Sequence, residues 1–409
     1  MPGKNPRFFY GYIVVAAAFA IMTLAWGSNR SFGVFVDPLL GEFGWTRAAI
    51  SGGFTVNMLV MGVMTLVAGR LTDTLGPRIV VAGCGVLLGL AYILTSQIQT
   101  IWQFYIFYGF LGGIGMSGLL TPLMSVVVRW FLKRRSLMSG ILVAGPGLGN
   151  MITPLACTFF ISSLGWRISF LILGIVVLLV IVLGALFLRR EPADMGLSAY
   201  GAREGVGQGY ASSGKGFSLQ EALRTKQFWL INVLSFCDLF LINVFVVHIV
   251  IHAIDMQISP TRAAGVLSLA AGISVPGRII MGSIADRIGN RSALMICLAI
   301  SVSAFLLLLF ARDIGTLYLF AVLYGIGLWS TGALVSPLVA DLFGLKSHAT
   351  LYSFAVFTSS IGSAAGPVIA GVLFDLTGRY SIAFILCLTV SLIAFSAIWF
   401  LRPIRQEEK

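Results

Sequence analysis

Charge is what this chain has least of. Asp, Glu, Lys and Arg make up only 10% of its 409 residues, against 58% hydrophobic. That is too little polar surface to clothe a water-soluble body of this size. Cysteine is sparse as well. Cys84, Cys157, Cys237, Cys297 and Cys387 are scattered through apolar runs with no Cys-x-x-Cys pair, which excludes a disulfide scaffold and a thiolate metal cluster. No Walker A loop is present, so nothing supports an ATPase. The apolar runs hold no convergent nucleophile and base, so the chain is expected not to be an enzyme and to need no cofactor or metal.

What is there is a set of long apolar runs, each about the length that crosses a bilayer as a helix. Twelve are countable: Phe9–Pro38, Trp45–Leu71, Ile79–Gln97, Trp102–Val128, Ser136–Ser162 and Trp166–Leu188, then Phe228–Ile254, Ala263–Ile284, Ala293–Ala311, Leu317–Leu342, Ala349–Phe374 and Ile382–Leu401. They are unbroken where a β-barrel would alternate polar and apolar. The net charge of +12 could suggest nucleic acid, but Lys and Arg gather at alternate loops: Arg70 and Arg78, Lys133 to Arg135, Arg189 and Arg190, Arg287 and Arg291, Arg402 and Arg405. That is positive-inside bias. It places both termini in the cytoplasm, with a bilayer and not a nucleic acid as the partner. The apolar stretch after Lys4 and Arg7 is too long for a signal peptide and reads as a retained first span. Trp45, Trp102, Trp130 and Trp166 stand near span ends, as interfacial anchors do.

The chain is written twice. Gly69-Arg70-Leu71-Thr72-Asp73-Thr74-Leu75-Gly76-Pro77-Arg78 returns in the second half as Gly282-Ser283-Ile284-Ala285-Asp286-Arg287-Ile288-Gly289-Asn290-Arg291. At the same shift Gly149 answers Gly362, Pro154 answers Pro367 and Gly165-Trp166-Arg167 answers Gly378-Arg379-Tyr380. Two copies of one design imply residues 1–190 and 227–409 as six-helix bundles. The polar interval 191–226 is then a cytoplasmic linker, with a short surface helix near Leu219–Leu223.

The doubled charged turn closely resembles the signature of the major facilitator superfamily, which stands between spans two and three and again between eight and nine. Within it, Tyr10-Gly11-Tyr12, Phe32-Gly33-Val34-Phe35, Glu42-Phe43-Gly44-Trp45-Thr46-Arg47 and Arg129-Trp130-Phe131 resemble the monocarboxylate porter and oxalate/formate antiporter group. The resemblance implies an all-α membrane protein of twelve helices in two pseudo-symmetric bundles, rocking around a midplane site. It also implies that Asp73, Arg78, Asp286, Arg287 and Arg291 form a conformational latch; the bland alternative is a turn that only sets topology.

Charges inside spans are costly, so each needs an account. Arg278 lies deep in the eighth run, where porters of this group bind the substrate anion, and a guanidinium can grip a carboxylate in bidentate fashion. The animal transporters carry an acid one turn earlier, where this chain has Ser274. Asp238, at similar depth in the seventh run, is expected to pair with Arg278 and carry the coupling proton. Arg30 stands where the animal transporters have a substrate-attracting Lys; snorkelling or pairing with Asp37 is its alternative. His248 is either a cavity donor and protonation site or an ordinary core histidine, and His252 shares its face. Asn150, Tyr324, Trp329 and Phe357 are candidate cavity walls, although aromatics in spans are more often packing. Gly113-Ile114-Gly115-Met116-Ser117-Gly118 matches a dinucleotide fingerprint but has no βαβ setting, so it reads as close helix crossing.

These readings converge on a secondary transporter of the plasma (inner) membrane, working as a monomer and moving a small organic monocarboxylate such as lactate or pyruvate with a proton. The alternatives are exchange of a small dicarboxylate such as oxalate for a monocarboxylate, a drug exporter, and a non-transporting membrane sensor.

Overall fold

The computed structural model describes residues 9–202 and 216–402. Among these, twelve helices are long and apolar enough to cross a membrane. Spans one to six are Gly11–Phe43, Arg47–Leu75, Pro77–Thr95, Ile101–Trp130, Arg135–Leu164 and Trp166–Phe187. Spans seven to twelve are Lys226–Asp255, Pro260–Ile288, Asn290–Leu309, Ile314–Ala333, His348–Thr377 and Ser381–Phe400. The chain separates into two compact units, Met1–Lys215 and Gly216–Lys409. The described parts of the polar interval are tied down within each unit. Tyr200 pairs with the end of span four, its N–H donating to the Trp130 carbonyl at 2.9 Å. Phe217 donates to the Phe343 carbonyl at 2.9 Å. The short helix Leu219–Leu223 is present, opened by a capping box between Ser218 and Glu221; residues 203–215 of the expected linker lie outside the described residues.

The repeat is visible as packing. In span five, a Cβ added at Gly149 would collide with the Thr23 carbonyl of span one. In span eleven, one at Gly362 would collide with the Phe236 carbonyl of span seven. Thr23 and Phe236 correspond at the same shift that relates Gly149 to Gly362, so one glycine-mediated crossing is built twice. The glycines of 113–118 serve the same end: Cβ atoms there would strike Asn57 and Val60 (from Gly113), Leu88 (from Gly115) and Cys84 (from Gly118). Backbone approach this close is what glycine permits in a membrane bundle.

The charged turns also repeat in conformation. Gly76 has φ 87° and ψ 157°, Gly289 φ 89° and ψ 150°. A positive φ of this kind is open to glycine and strained for other residues, which explains why Gly recurs in register.

Three spans are interrupted. Span one breaks at Ser31, between helices Gly11–Arg30 and Phe32–Phe43. Span four carries a π-helical turn at Tyr105–Leu111 and loses its helix at Gly118. Span ten runs α-helical to Ile326, narrows to a 3₁₀ segment at Leu328–Ala333, and resumes as Val335–Phe343. Such departures free backbone groups at membrane depth, which then need partners from the local backbone or from side chains.

Two of the four expected tryptophan anchors differ from expectation. Trp102 is 72% exposed, whereas Trp130 and Trp166 are buried. Trp130 donates its indole N–H to the Arg189 carbonyl at 2.9 Å and Trp166 donates to Glu42 at 2.5 Å. Inside a packed bundle an indole needs a partner, and both have found one.

Candidate functional site

The interruption of span ten gathers the charged groups of the second unit. Asp238, buried in span seven, faces Thr331, whose Oγ1 lies 2.5 Å from the carboxyl Oδ1. The same Oγ1 lies 2.6 Å from the Leu328 carbonyl. Two residues before Thr331, the Trp329 carbonyl accepts from Nε of Arg278 at 3.0 Å. The acid of span seven and the cation of span eight are thus each fastened to one six-residue 3₁₀ segment. The expected direct contact of Asp238 with Arg278 is absent: among the described residues Asp238 makes no direct ion pair. The two groups lie within electrostatic range of each other. The 3₁₀ turn explains the difference. By tightening the backbone it offers a hydroxyl to one group and a carbonyl to the other.

The first unit has the same framework without the charges. Thr65, which stands where the second copy has Arg278, donates to the Ser117 carbonyl at 3.2 Å, next to the helix break at Gly118. The position answering Asp238 is Ala25. A buried amide network stands nearby: Asn29 donates to Asn57 at 3.1 Å, and Asn57 to the Tyr108 carbonyl at 2.8 Å. Sequence reading passed over these asparagines; their signal was two amides in neighbouring apolar runs.

Arg30 ends the first helix of span one at the Ser31 break, exposed, and makes no hydrogen bond or ion pair among the described residues. Asp37 pairs with Arg47 at 3.5 Å instead, so the Arg30–Asp37 alternative is not realised. The Tyr108 hydroxyl is buried with no hydrogen-bond partner among the described residues, within electrostatic range of Arg30.

His248 is buried in span seven with both ring nitrogens engaged. Nε2 lies 3.0 Å from the Pro367 carbonyl and Nδ1 3.2 Å from the Tyr380 hydroxyl. A carbonyl only accepts, so Nε2 carries the hydrogen and, in the neutral ring, Nδ1 accepts from the tyrosine. His252 packs edge-on against Tyr380 and Phe384. The remaining candidates differ in setting. Asn150 is exposed, while Trp329 and Phe357 are half-buried. Tyr324 is a core residue instead of an open wall, fully buried with its hydroxyl donating to the Leu241 carbonyl at 3.3 Å.

The residues of the charged turns take partners within their own units. Asp73 lies 3.6 Å from Arg129 of span four, and Arg129 pairs with Glu191 at 3.0 Å. Arg190 donates to the Asp73 carbonyl at 2.8 Å. Arg78, at the start of the next helix, is exposed and takes no part in this cluster. In the second copy Arg291 donates to the Ile398 and Trp399 carbonyls at 3.3 and 2.7 Å, and Asn290 to Asp341 at 2.6 Å. Asp286 and Arg287 are exposed.

With this geometry, the model of the Major Facilitator Superfamily matches residues 13–287 and 228–409. The chain belongs to the Major Facilitator Superfamily. Its relatives include Monocarboxylate transporter 13 of Rattus norvegicus, 28% identical over 382 residues, covering 92% of this chain and 85% of the relative. Monocarboxylate transporter 2 of Homo sapiens is 25% identical over 411 residues, covering 96% and 85%. Among solved structures, the superfamily transporter FucP in its outward conformation aligns with TM-score 0.77 at 15% identity, over 96% of this chain and 99% of that one. The fold is therefore a multi-pass membrane transporter of twelve helices.

Proposed function

We propose that this member of the superfamily moves small monocarboxylates of the lactate and pyruvate type by proton symport with alternating access. It would act as a monomer in the plasma (inner) membrane, with both termini in the cytoplasm. The observation that carries the proposal is the deep guanidinium of Arg278, steadied at Nε by the Trp329 carbonyl and set beside a buried acid. Steadying one nitrogen fixes the plane of the guanidinium, which suits it to planar recognition of a carboxylate. Asp238 is the proton site in this reading: a carboxyl at membrane depth is more cheaply held neutral than charged, so anion and proton travel best together. The names of the relatives favour the same substrate class. His248 contributes by holding span seven to the Pro367 carbonyl of span eleven.

A second reading has its own observation. Arg30 is exposed and has no ion-pair partner among the described residues, so a second cation is on hand for a small dicarboxylate exchanged against a monocarboxylate. The deciding experiment is uptake of radiolabelled L-lactate into proteoliposomes, with and without an inward proton gradient, in wild type and Arg278→Ala. Gradient-stimulated uptake that the substitution abolishes is the expected result. Wild-type vesicles that ignore lactate but take up oxalate when preloaded with formate would replace symport by exchange.

A further inference from the structure

The Thr331 hydroxyl has more short contacts than protons. Its oxygen lies 2.5 Å from Asp238 Oδ1 and 2.6 Å from the Leu328 carbonyl, both at the short end of the usual range for O–H···O bonds. A threonine hydroxyl supplies one hydrogen. If Asp238 were a carboxylate, that hydrogen could serve only one of two acceptors, and the other oxygen pair would be pressed together with nothing between. Both contacts are satisfied when the carboxyl carries a proton: Asp238 O–H donates to Thr331, and Thr331 O–H donates to Leu328. When the proton leaves for water, the Thr331 hydrogen turns to the carboxylate, because bonds to an ionised acceptor are about twice as strong. Leu328 then loses its side-chain donor. Its neighbour Trp329 holds Nε of Arg278.

We infer that Thr331 is a positioning residue that couples protonation of Asp238 to the placement of Arg278 through the 3₁₀ segment Leu328–Ala333. The inference rests on the reading of Asp238 as proton site and Arg278 as anion site. In the protonated state Thr331 closes the 3₁₀ turn onto Leu328, and the Trp329 carbonyl is held where it meets the guanidinium. In the deprotonated state the turn is released and Arg278 loses a fixed partner. Anion affinity therefore follows the proton. A 3₁₀ turn suits this role because its own bonds are poorer than those of an α-helix, so one side-chain donor matters more. Among the described residues, the other groups within electrostatic range of Asp238 are Arg278 of span eight, Cys297 of span nine, Tyr324 of span ten, Tyr352 of span eleven and Cys237 of its own span. Arg278 is the one cation among them.

The test has two arms on the full-length protein. Infrared difference spectra across a pH step should show a protonated carboxyl band that disappears in Asp238→Asn. In Thr331→Val, which keeps the shape and removes the hydroxyl, the band should persist and move to higher frequency; Thr331→Ser should restore it. The second arm is lactate uptake. One linked proton lets the wild-type KM change by up to about tenfold per pH unit. Thr331→Val should flatten that dependence toward unity while keeping kcat at low pH, and Thr331→Ser should recover it. A band that does not move in the valine variant overturns the contact. A band that moves while the KM dependence stays at the wild-type slope overturns the coupling. Wild-type protein that transports no monocarboxylate overturns the reading beneath, and the infrared arm alone then decides whether Thr331 accepts a hydrogen bond from the Asp238 carboxyl.

Discussion

Adding one methyl group at Gly362 tests whether the repeated crossing holds each bundle together. The Cβ of Gly362→Ala would be driven into the Phe236 carbonyl oxygen, a backbone atom that cannot rotate out of the way. Overpacking of this kind costs about 1–3 kcal/mol, and a rigid neighbour favours the upper end. Against it stands the gain from replacing glycine inside a helix, about 1 kcal/mol. The net expectation is a loss of roughly 1–2 kcal/mol, and Gly149→Ala should match it because its Cβ meets the Thr23 carbonyl in the same way. Controls come from spans three and eight: Gly83 and Gly272 face nothing within 4 Å, so alanine there should be neutral or stabilising. The assay is unfolding of purified protein in mixed detergent micelles, followed by helical signal. If Gly362→Ala and Gly149→Ala unfold no earlier than the two controls, the crossings tolerate spreading and the packing argument fails.

Two further outcomes follow from charge placement. Arg129, buried between Asp73 and Glu191, should be costly to neutralise. Arg129→Gln leaves two carboxylates facing each other, and breaking a buried ion pair costs about 3–5 kcal/mol. The partial exposure of both acids puts this site at the lower end, with Arg129→Lys recovering part of the loss in the same unfolding assay. At the start of span ten, Thr316 donates through its hydroxyl and its N–H to Asp313, holding that carboxyl below its usual range. The cap is therefore complete above the unfolded value, about 3.9, and is lost as pH falls through the lower folded value. Hydrogen exchange at residues 315–317, corrected for intrinsic rates, should quicken over that window in wild type and not in Asp313→Asn; an equal response in both would remove the cap from the account.

The scaffold was legible because its signals are local or periodic. Span count follows from the length of apolar runs, and the repeat from Gly, Asp and Arg in register at Gly69–Arg78 and Gly282–Arg291. The quoted family motifs turn out to be packing pieces that find one another. Tyr10 and Tyr12 meet Trp130 and Phe131 with ring centroids 5.6 Å apart, and Glu42 receives Arg167 at 2.7 Å. What was not legible depends on backbone geometry. Depth along regular helices placed Asp238 and Arg278 at one level, but the partner each takes is set by a 3₁₀ turn that periodicity does not announce. Asp73 meets Arg129 and not Arg78 for a similar reason: the nearer residue in sequence is exposed, while the one two spans further on is buried beside it.

The repeat also separates scaffold from chemistry. Both units break their fourth helix, at Gly118 and at Leu328–Ala333, and both send a side chain from their second helix to a carbonyl near that break. In the first unit the side chain is Thr65 and the position answering Asp238 is Ala25. In the second unit the same two positions hold Arg278 and Asp238. A framework that can be built with a threonine and an alanine does not need charges for its stability. Since burying them costs several kcal/mol each, the second unit keeps Arg278 and Asp238 against that cost. Placing the neutral pair there, as Asp238→Ala with Arg278→Thr, should then leave the protein folded and at least as resistant to unfolding as wild type, while lactate uptake is lost. A double variant that fails to fold would show the charges to be structural and would return the site to an open question.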